Sequence, residues 1–196
     1  MIFAVSGSQG CGKTTVLNEL KARGYNVVDR KAARSILDDW EVTLDEVNAD
    51  LDLKMKFQEE LFYRKVSDDL EHVDDDAIWF TERTFVDLFG YTVMNIGQYN
   101  QCNEWLSNYH FIVQKAQNHL DGAFYLMGGL FQVQNDGVRS VNEHYSTAID
   151  LTFLHFTREM TTAPLYELEM VDLTERVDFI EQKALKLHKA AHGVYQ

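Results

Sequence analysis

A doubly wound α/β domain, with a parallel sheet of about five strands flanked by helices, is the fold class this sequence predicts. Short apolar runs of strand character alternate with helical stretches along the chain. The first such run leads into Gly7-Ser8-Gln9-Gly10-Cys11-Gly12-Lys13-Thr14, which matches G-x-x-x-x-G-K-[ST], the pattern of a phosphate-binding loop between a strand and a helix. At 196 residues and 45% apolar content, residues 1–196 are expected to form one domain around a sizeable core.

The elements follow in order. Met1 to Val5 reads as the first strand, and the helix after the loop carries Val16, Leu17 and Leu20 as its apolar stripe, with Gly24 as its stop signal. Tyr25 to Asp29 reads as a second strand and Arg30 to Trp40 as a helix with Ala33, Ile36, Leu37 and Trp40 apolar. Leu53 to Val73 has helical spacing (Phe57, Leu61; Met55, Phe62, Val66, Leu70) and runs into Asp74-Asp75-Asp76, read as a solvated loop. Ala77 to Thr81 is the next strand. Helices over Phe85 to Ile96 and Trp105 to Leu120, a strand over Ala123 to Met127, and a polar segment over Gln132 to Asn142 come after it. A helix from Glu143 to Arg158, a strand from Leu165 to Met170 and a helix from Thr174 to His188 complete the pattern.

The formal charge of −13 argues against a general electrostatic grip on nucleic acid, which requires a basic face, while leaving room for a local basic channel. Two cysteines offer no disulfide framework and suit a reducing compartment, so the expected location is cytoplasmic. Met1 leads straight into a strand and no apolar run reaches membrane-spanning length, so neither a signal peptide nor a membrane partner is expected. The histidines show no zinc-ligand spacing, and neither cysteine has a neighbouring histidine that would make it a nucleophile.

The chemistry of the loop follows from its residue types. Gly7 and Gly12 allow the backbone to turn so that amides converge on a polyphosphate, with Gln9, Gly10 and Cys11 completing the cradle. Lys13 reaches the β- and γ-phosphates, the Thr14 hydroxyl is a ligand for Mg²⁺, and Thr15 lies beside it, so ATP and Mg²⁺ are the expected cofactors. The sequence has no N-K-x-D stretch of the kind a GTPase uses to read its base. The strand before Glu82 lacks the paired acids of motors and transporters and ends instead in Glu82-Arg83. An acid beside a base at that strand end suits an enzyme that ligands Mg²⁺ and also holds an anionic second substrate. Arg30, Lys31 and Arg34 gather positive charge after the second strand, where it would suit an acceptor that carries phosphate.

The chain resembles the small P-loop kinases of the AAA-28 group, similar to ribosylnicotinamide kinase domains and to phage nucleotide kinases. The resemblance lies in Val5 to Thr15; Gly24 to Val28 leading to Ala32-Ala33-Arg34; Glu82-Arg83-Thr84-Phe85-Val86-Asp87 with Tyr91; Asp136-Gly137-Val138-Arg139; and Glu175 to Ile180. It implies a P-loop kinase fold with a lid. Glu82 and Arg83 would face metal and acceptor, Asp87 would support the following helix and border the substrate, and Arg139 would close over the transferring phosphoryl group. Where that family has a glutamate before Ala-Ala-Arg this chain has Lys31, so either Asp29, two residues earlier, is the expected base or the acceptor is a different molecule. The expected acceptor is a deoxynucleoside monophosphate, with ribosylnicotinamide or a hydroxymethylated base in DNA as alternatives; a P-loop switch that binds a partner protein is the reading from a different class.

Overall fold

The computed structural model describes residues 1–28, 32–72, 76–128 and 143–193. Its sheet has five strands, β1 (Ile2–Ser6), β2 (Asn26–Val27), β3 (Trp79–Glu82), β4 (Gly122–Leu126) and β5 (Leu165–Leu168), in the order β2-β3-β1-β4-β5. Every pairing is parallel. The helices are α1 (Lys13–Ala22), α2 (Ala32–Asp39), α3 (Leu44–Ala49), α4 (Leu51–Leu70), α5 (Phe85–Ile96), α6 (Asn103–Gln117), α7 (Glu143–Met160) and α8 (Leu173–Ala191).

Alternation along β1 builds a core on each face of the sheet. Phe3 and Val5 pack with Val16, Leu17 and Leu20 of α1 and with Val177, Ile180 and Ala184 of α8. Ile2 and Ala4 point the other way, into Phe62 of α4, Phe85, Val86 and Phe89 of α5, and Tyr109, Val113 and Ala116 of α6. All five residues of β1 are buried, as a strand covered on both faces requires. From β1 the chain leaves toward β2 at one edge, and from its neighbour β4 it leaves toward β5 at the other. The carboxyl ends of these adjacent strands therefore diverge, which is where open α/β sheets bind ligands.

The doubly wound, five-stranded parallel fold is as the sequence predicts; several element bounds differ. Helix α3 is absent from the sequence reading, although Thr43-Leu44-Asp45-Glu46 carries its signal: the Thr43 side chain accepts from the Glu46 amide and the Glu46 side chain accepts from the Thr43 amide. The expected stripe on α4 also shifts. Leu70 is 43% exposed, and Lys54, Gln58, Lys65 and Asp69 occupy buried positions instead. Strand β3 runs one residue beyond Thr81, so Glu82 pairs with Val5. Strand β5 stops at Leu168, short of Met170, and α7 continues past Arg158 to Met160.

Candidate active site

Three glycines shape the loop after β1: Gly7, Gly10 and Gly12 have φ of 132°, 79° and 93°. Gly10 is one more than the sequence reading had assigned a special conformation. A Cβ on Gly7 would stand 2.3 Å from the Leu126 carbonyl oxygen and 2.8 Å from Cys11 Sγ, so here the chain needs both the left-handed backbone and the missing side chain. Gly12 precedes α1 with no side-chain cap and no acidic residue in the first turn. The first-turn amides of α1 are thus left to an anionic ligand.

Lys13 is only 5% exposed. Its ammonium lies over the loop, donating to the Gly7 carbonyl at 2.9 Å and the Ser8 carbonyl at 2.7 Å, with Cys11 Sγ at 3.6 Å. To meet a phosphate it exchanges two neutral carbonyl acceptors for charged oxygens, a stronger pairing. Thr14 and Thr15 are exposed at the helix start, so the Thr14 hydroxyl is open to a metal-bound ligand. Gln9 is half-buried and its Nε2 stands 3.4 Å from Ser146 Oγ on α7.

Cys11 is 1% exposed, and its carbonyl accepts a 2.8 Å hydrogen bond from Arg176 of α8. A second donor of Arg176 reaches the Met170 carbonyl at 2.5 Å. Burial lowers the pKa of this guanidinium from the ordinary arginine value, with Cys11 opposing the shift. Arg176 therefore braces the loop from behind. No position in its helix sets it apart from a surface arginine, so the sequence reading gave it no role.

The turn after β3 lies one strand away. Arg83 donates its amide to the Val5 carbonyl at 2.9 Å and adopts φ 69°, a left-handed backbone uncommon for a residue with a side chain. Its guanidinium lies 4.9 Å from the centroid of Tyr91 and donates to the Tyr91 hydroxyl at 3.2 Å. Among the described residues Nη1 of Arg83 is buried with no hydrogen-bond partner. Burial works against the charge on Arg83, but Tyr91, Asp87 and Glu82 outweigh it and raise the pKa above the ordinary arginine value. The site thus offers Lys13 and Arg83 as low-lying cations around an uncapped helix start, a setting for a polyphosphate.

Asp87 needs a correction. It was expected to border the substrate, yet it is 0% exposed and its carboxylate is fully engaged. Ser6 Oγ donates to its two oxygens at 2.7 and 2.9 Å, and Thr84 donates its hydroxyl at 2.9 Å and its amide at 3.2 Å. Its own amide returns a 3.1 Å bond to Thr84 Oγ1, a capping box that starts α5. Asp87 ties the Arg83-Thr84 turn to β1 and touches no solvent.

Arg34 is exposed on α2 and bonds to none of the described residues. Asp29, Arg30 and Lys31, and Asp136, Gly137 and Arg139 of the expected lid, lie outside the described residues. Arg158 is engaged elsewhere, bound to both carboxylate oxygens of Glu167 at 2.7 and 2.6 Å. Asp150 of α7, which the sequence reading passed over, accepts from the Tyr125 hydroxyl at 2.9 Å and the Gly128 amide at 3.3 Å, and so joins α7 to the end of β4. Among the described residues no group of three or more His, Cys, Asp or Glu side chains forms a metal cage. A loop hydroxyl with a single carboxylate is instead the kind of donor set Mg²⁺ takes alongside phosphate oxygens and water. No described helix is long and apolar enough to cross a membrane.

No curated protein matches the chain in sequence. Solved structures do match in fold. Deoxyadenosine kinase from M. mycoides, bound to the products dCMP and dCDP, superposes with a TM-score of 0.68 at 16% identity, over 95% of this chain and 100% of that one. The same kinase with bound dATP gives 0.69 at 16% identity, over 93% and 98%. NadR protein in complex with NR gives 0.69 at 13% identity over 92% of this chain but 50% of that one, so the chain spans half of NadR's length. The likeness in fold thus extends over almost the whole chain, with the glycine loop after β1 and the Glu82-Arg83 turn after β3 side by side. The AAA_28 model, an AAA domain, matches residues 2–176, from the start of β1 to the arginine that braces the loop, and the chain belongs to that family.

Proposed function

We propose that the protein is an ATP- and Mg²⁺-dependent kinase that transfers a phosphoryl group to a hydroxyl of a nucleoside-type acceptor. The observation that carries the reading is the uncapped start of α1 beside the buried Lys13, with Glu82-Arg83 held against Val5 on the neighbouring strand. One element holds a polyphosphate and the other presents an acid and a base beside it. The kinase structures that share the fold support this arrangement.

Bound ATP would supply the γ-phosphoryl group, and Mg²⁺, held by Thr14 and Glu82, would spread the charge of its oxygens. The chain's own residues do the rest by position and electrostatics. The α1 amides and Lys13 hold the donor phosphates, and Arg83 meets negative charge that develops on the transferring group. In such a transfer the acceptor oxygen would bond to phosphorus as the bond to the ADP oxygen breaks, and Asp29, outside the described residues, would take the hydroxyl proton. Arg139, outside the described residues, would meet charge on the same transferring group.

A second acceptor, a deoxynucleoside monophosphate, is favoured by Arg34, whose exposed guanidinium has no partner among the described residues and would suit a phosphate. The test is a panel of deoxynucleosides, their monophosphates and ribosylnicotinamide with γ-labelled ATP. Label moving to nucleosides in preference to monophosphates supports the first reading. Preference for a monophosphate, with Arg34→Glu raising KM for it and leaving KM for ATP unchanged, supports the second. ATP hydrolysis at one slow rate whatever is added would identify a switch and overturn the kinase reading.

A further inference from the structure

Lys65 has 0% of its surface exposed and sits on α4, outside every motif that points to phosphate chemistry. Among the acceptors its ammonium meets are Asp69 Oδ2 at 2.7 Å, Thr81 Oγ1 at 3.2 Å and the Glu82 carbonyl at 3.5 Å. Thr81 Oγ1 in turn donates to the other Asp69 oxygen at 2.8 Å. The ring of Phe85 lies 4.8 Å from the ammonium. The group closes on itself around the last two residues of β3, immediately before Arg83 with its φ of 69°.

A buried ion pair is a poor way to gain stability, because an apolar replacement of similar volume is often as good or better. Two charges placed under one short turn therefore call for another explanation. A left-handed backbone at an arginine persists only where its surroundings over-determine it. The peptides on either side of Arg83 are both held: Lys65 reaches the carbonyl of Glu82 before it, and Asp87 accepts the amide of Thr84 after it. We propose that Lys65, paired with Asp69, is a positioning residue that holds the Glu82–Thr84 turn, so that Glu82 and Arg83 stay beside β1, at the strand end from which the phosphate loop leaves. The inference rests on the kinase reading for its effect on turnover; its effect on the turn stands independently.

The experiment compares wild type with Lys65→Met and with the apolar triple variant Lys65→Met/Asp69→Leu/Thr81→Val, which removes the network without leaving a buried charge. Arg64→Ala, on the same helix but engaged with Asp39 and Glu60 at the surface, is the control. Melting temperature, amide hydrogen exchange at Arg83 and Thr84, and steady-state transfer from MgATP to deoxyadenosine are measured. The triple variant is expected to melt near wild type while the two amides exchange at least ~10-fold faster. Its turnover falls on the order of 10²-fold with KM for MgATP unchanged, the scale of a small misplacement of catalytic groups. Unchanged exchange, or full turnover in a variant whose stability is restored, overturns the proposal and leaves the pair a packing feature. If Lys65→Met does not fold, the triple variant decides alone. A wild-type protein that transfers nothing to deoxyadenosine counts against the acceptor reading, and the exchange measurement then decides the clamp without it.

Discussion

The loop after β1 and the turn after β3 stand side by side at one end of the sheet and are held by opposite means. The loop is mostly local: Lys13 bonds to carbonyls only six and five residues back, and its three glycines set the path. The turn is assembled from a distance. Ser6 reaches Asp87 across 81 residues, Lys65 reaches Thr81 across 16, and the Arg83 amide is held by β1. A local motif can be recognised in any chain that carries it. A turn held by α4, β1 and α5 exists only when all three have docked, so its residues look ordinary until the fold is known.

Substitutions should therefore break the two regions differently. Lys13→Ala is expected to have the largest effect on activity, abolishing phosphoryl transfer while the melting temperature stays within a few degrees, since the ammonium bonds within its own loop, to the Gly7 and Ser8 carbonyls and Cys11 Sγ. Labelled-ATP transfer beside a melting curve checks it, and a variant that keeps most of its turnover removes the loop from the mechanism. Gly7→Ala attacks the same loop through the backbone. With Leu126 and Cys11 in the path of a Cβ and φ at 132°, it should cost about 3 kcal/mol and nucleotide affinity together. Gly24→Ala has a comparable φ of 93° but open space around it, and should cost only about 1 kcal/mol in a urea titration.

Asp87→Asn tests the distant side of the comparison. It keeps the shape but turns an acceptor of three donors into a mixed group, at a cost of about 2 kcal/mol. Because the turn moves and the loop does not, turnover should fall while the dissociation constant for ATP holds. An equal loss in both would show that the two regions are not separable. The smallest effect concerns pH. The Arg158 guanidinium bonded to Glu167 lowers the pKa of that carboxyl from the ordinary glutamate value. The stability this contributes is present above the unfolded value of about 4.3 and is lost as pH falls through the lower folded value. Arg158→Ala should flatten that acid-side slope in melting curves by lowering the pH 7 value slightly while leaving the value below about pH 3 nearly unchanged; an unaltered slope would count against the pair.

Most of the fold was legible because hydrophobic period and glycine punctuation are local properties. Helix α5 lies at Phe85–Ile96 as read, and the phosphate loop lies between strand and helix as its spacing demands. The misses share a cause. On α4 the pattern of Met55, Phe62, Val66 and Leu70 promised an apolar stripe, yet Lys65 and Asp69 turn inward because each finds the other and Thr81 there. Arg176 reads as one more cation on an amphipathic helix and is in fact 2% exposed behind the loop. Helix α3 is a different case, because the capping box at Thr43 is a local signal that the sequence itself carries.

By itself the sequence determined the doubly wound class, the phosphate loop and the strand that ends in Glu82-Arg83, since each depends on residues close together in the chain. Only the tertiary structure decided that Asp87 is a buried tie, that Arg176 braces the loop, and that Lys65 and Asp69 lie under the Glu82–Thr84 turn. A charged side chain is stable inside a protein only where a partner from another element completes its hydrogen bonds, and that partner is set by docking, which no local pattern encodes.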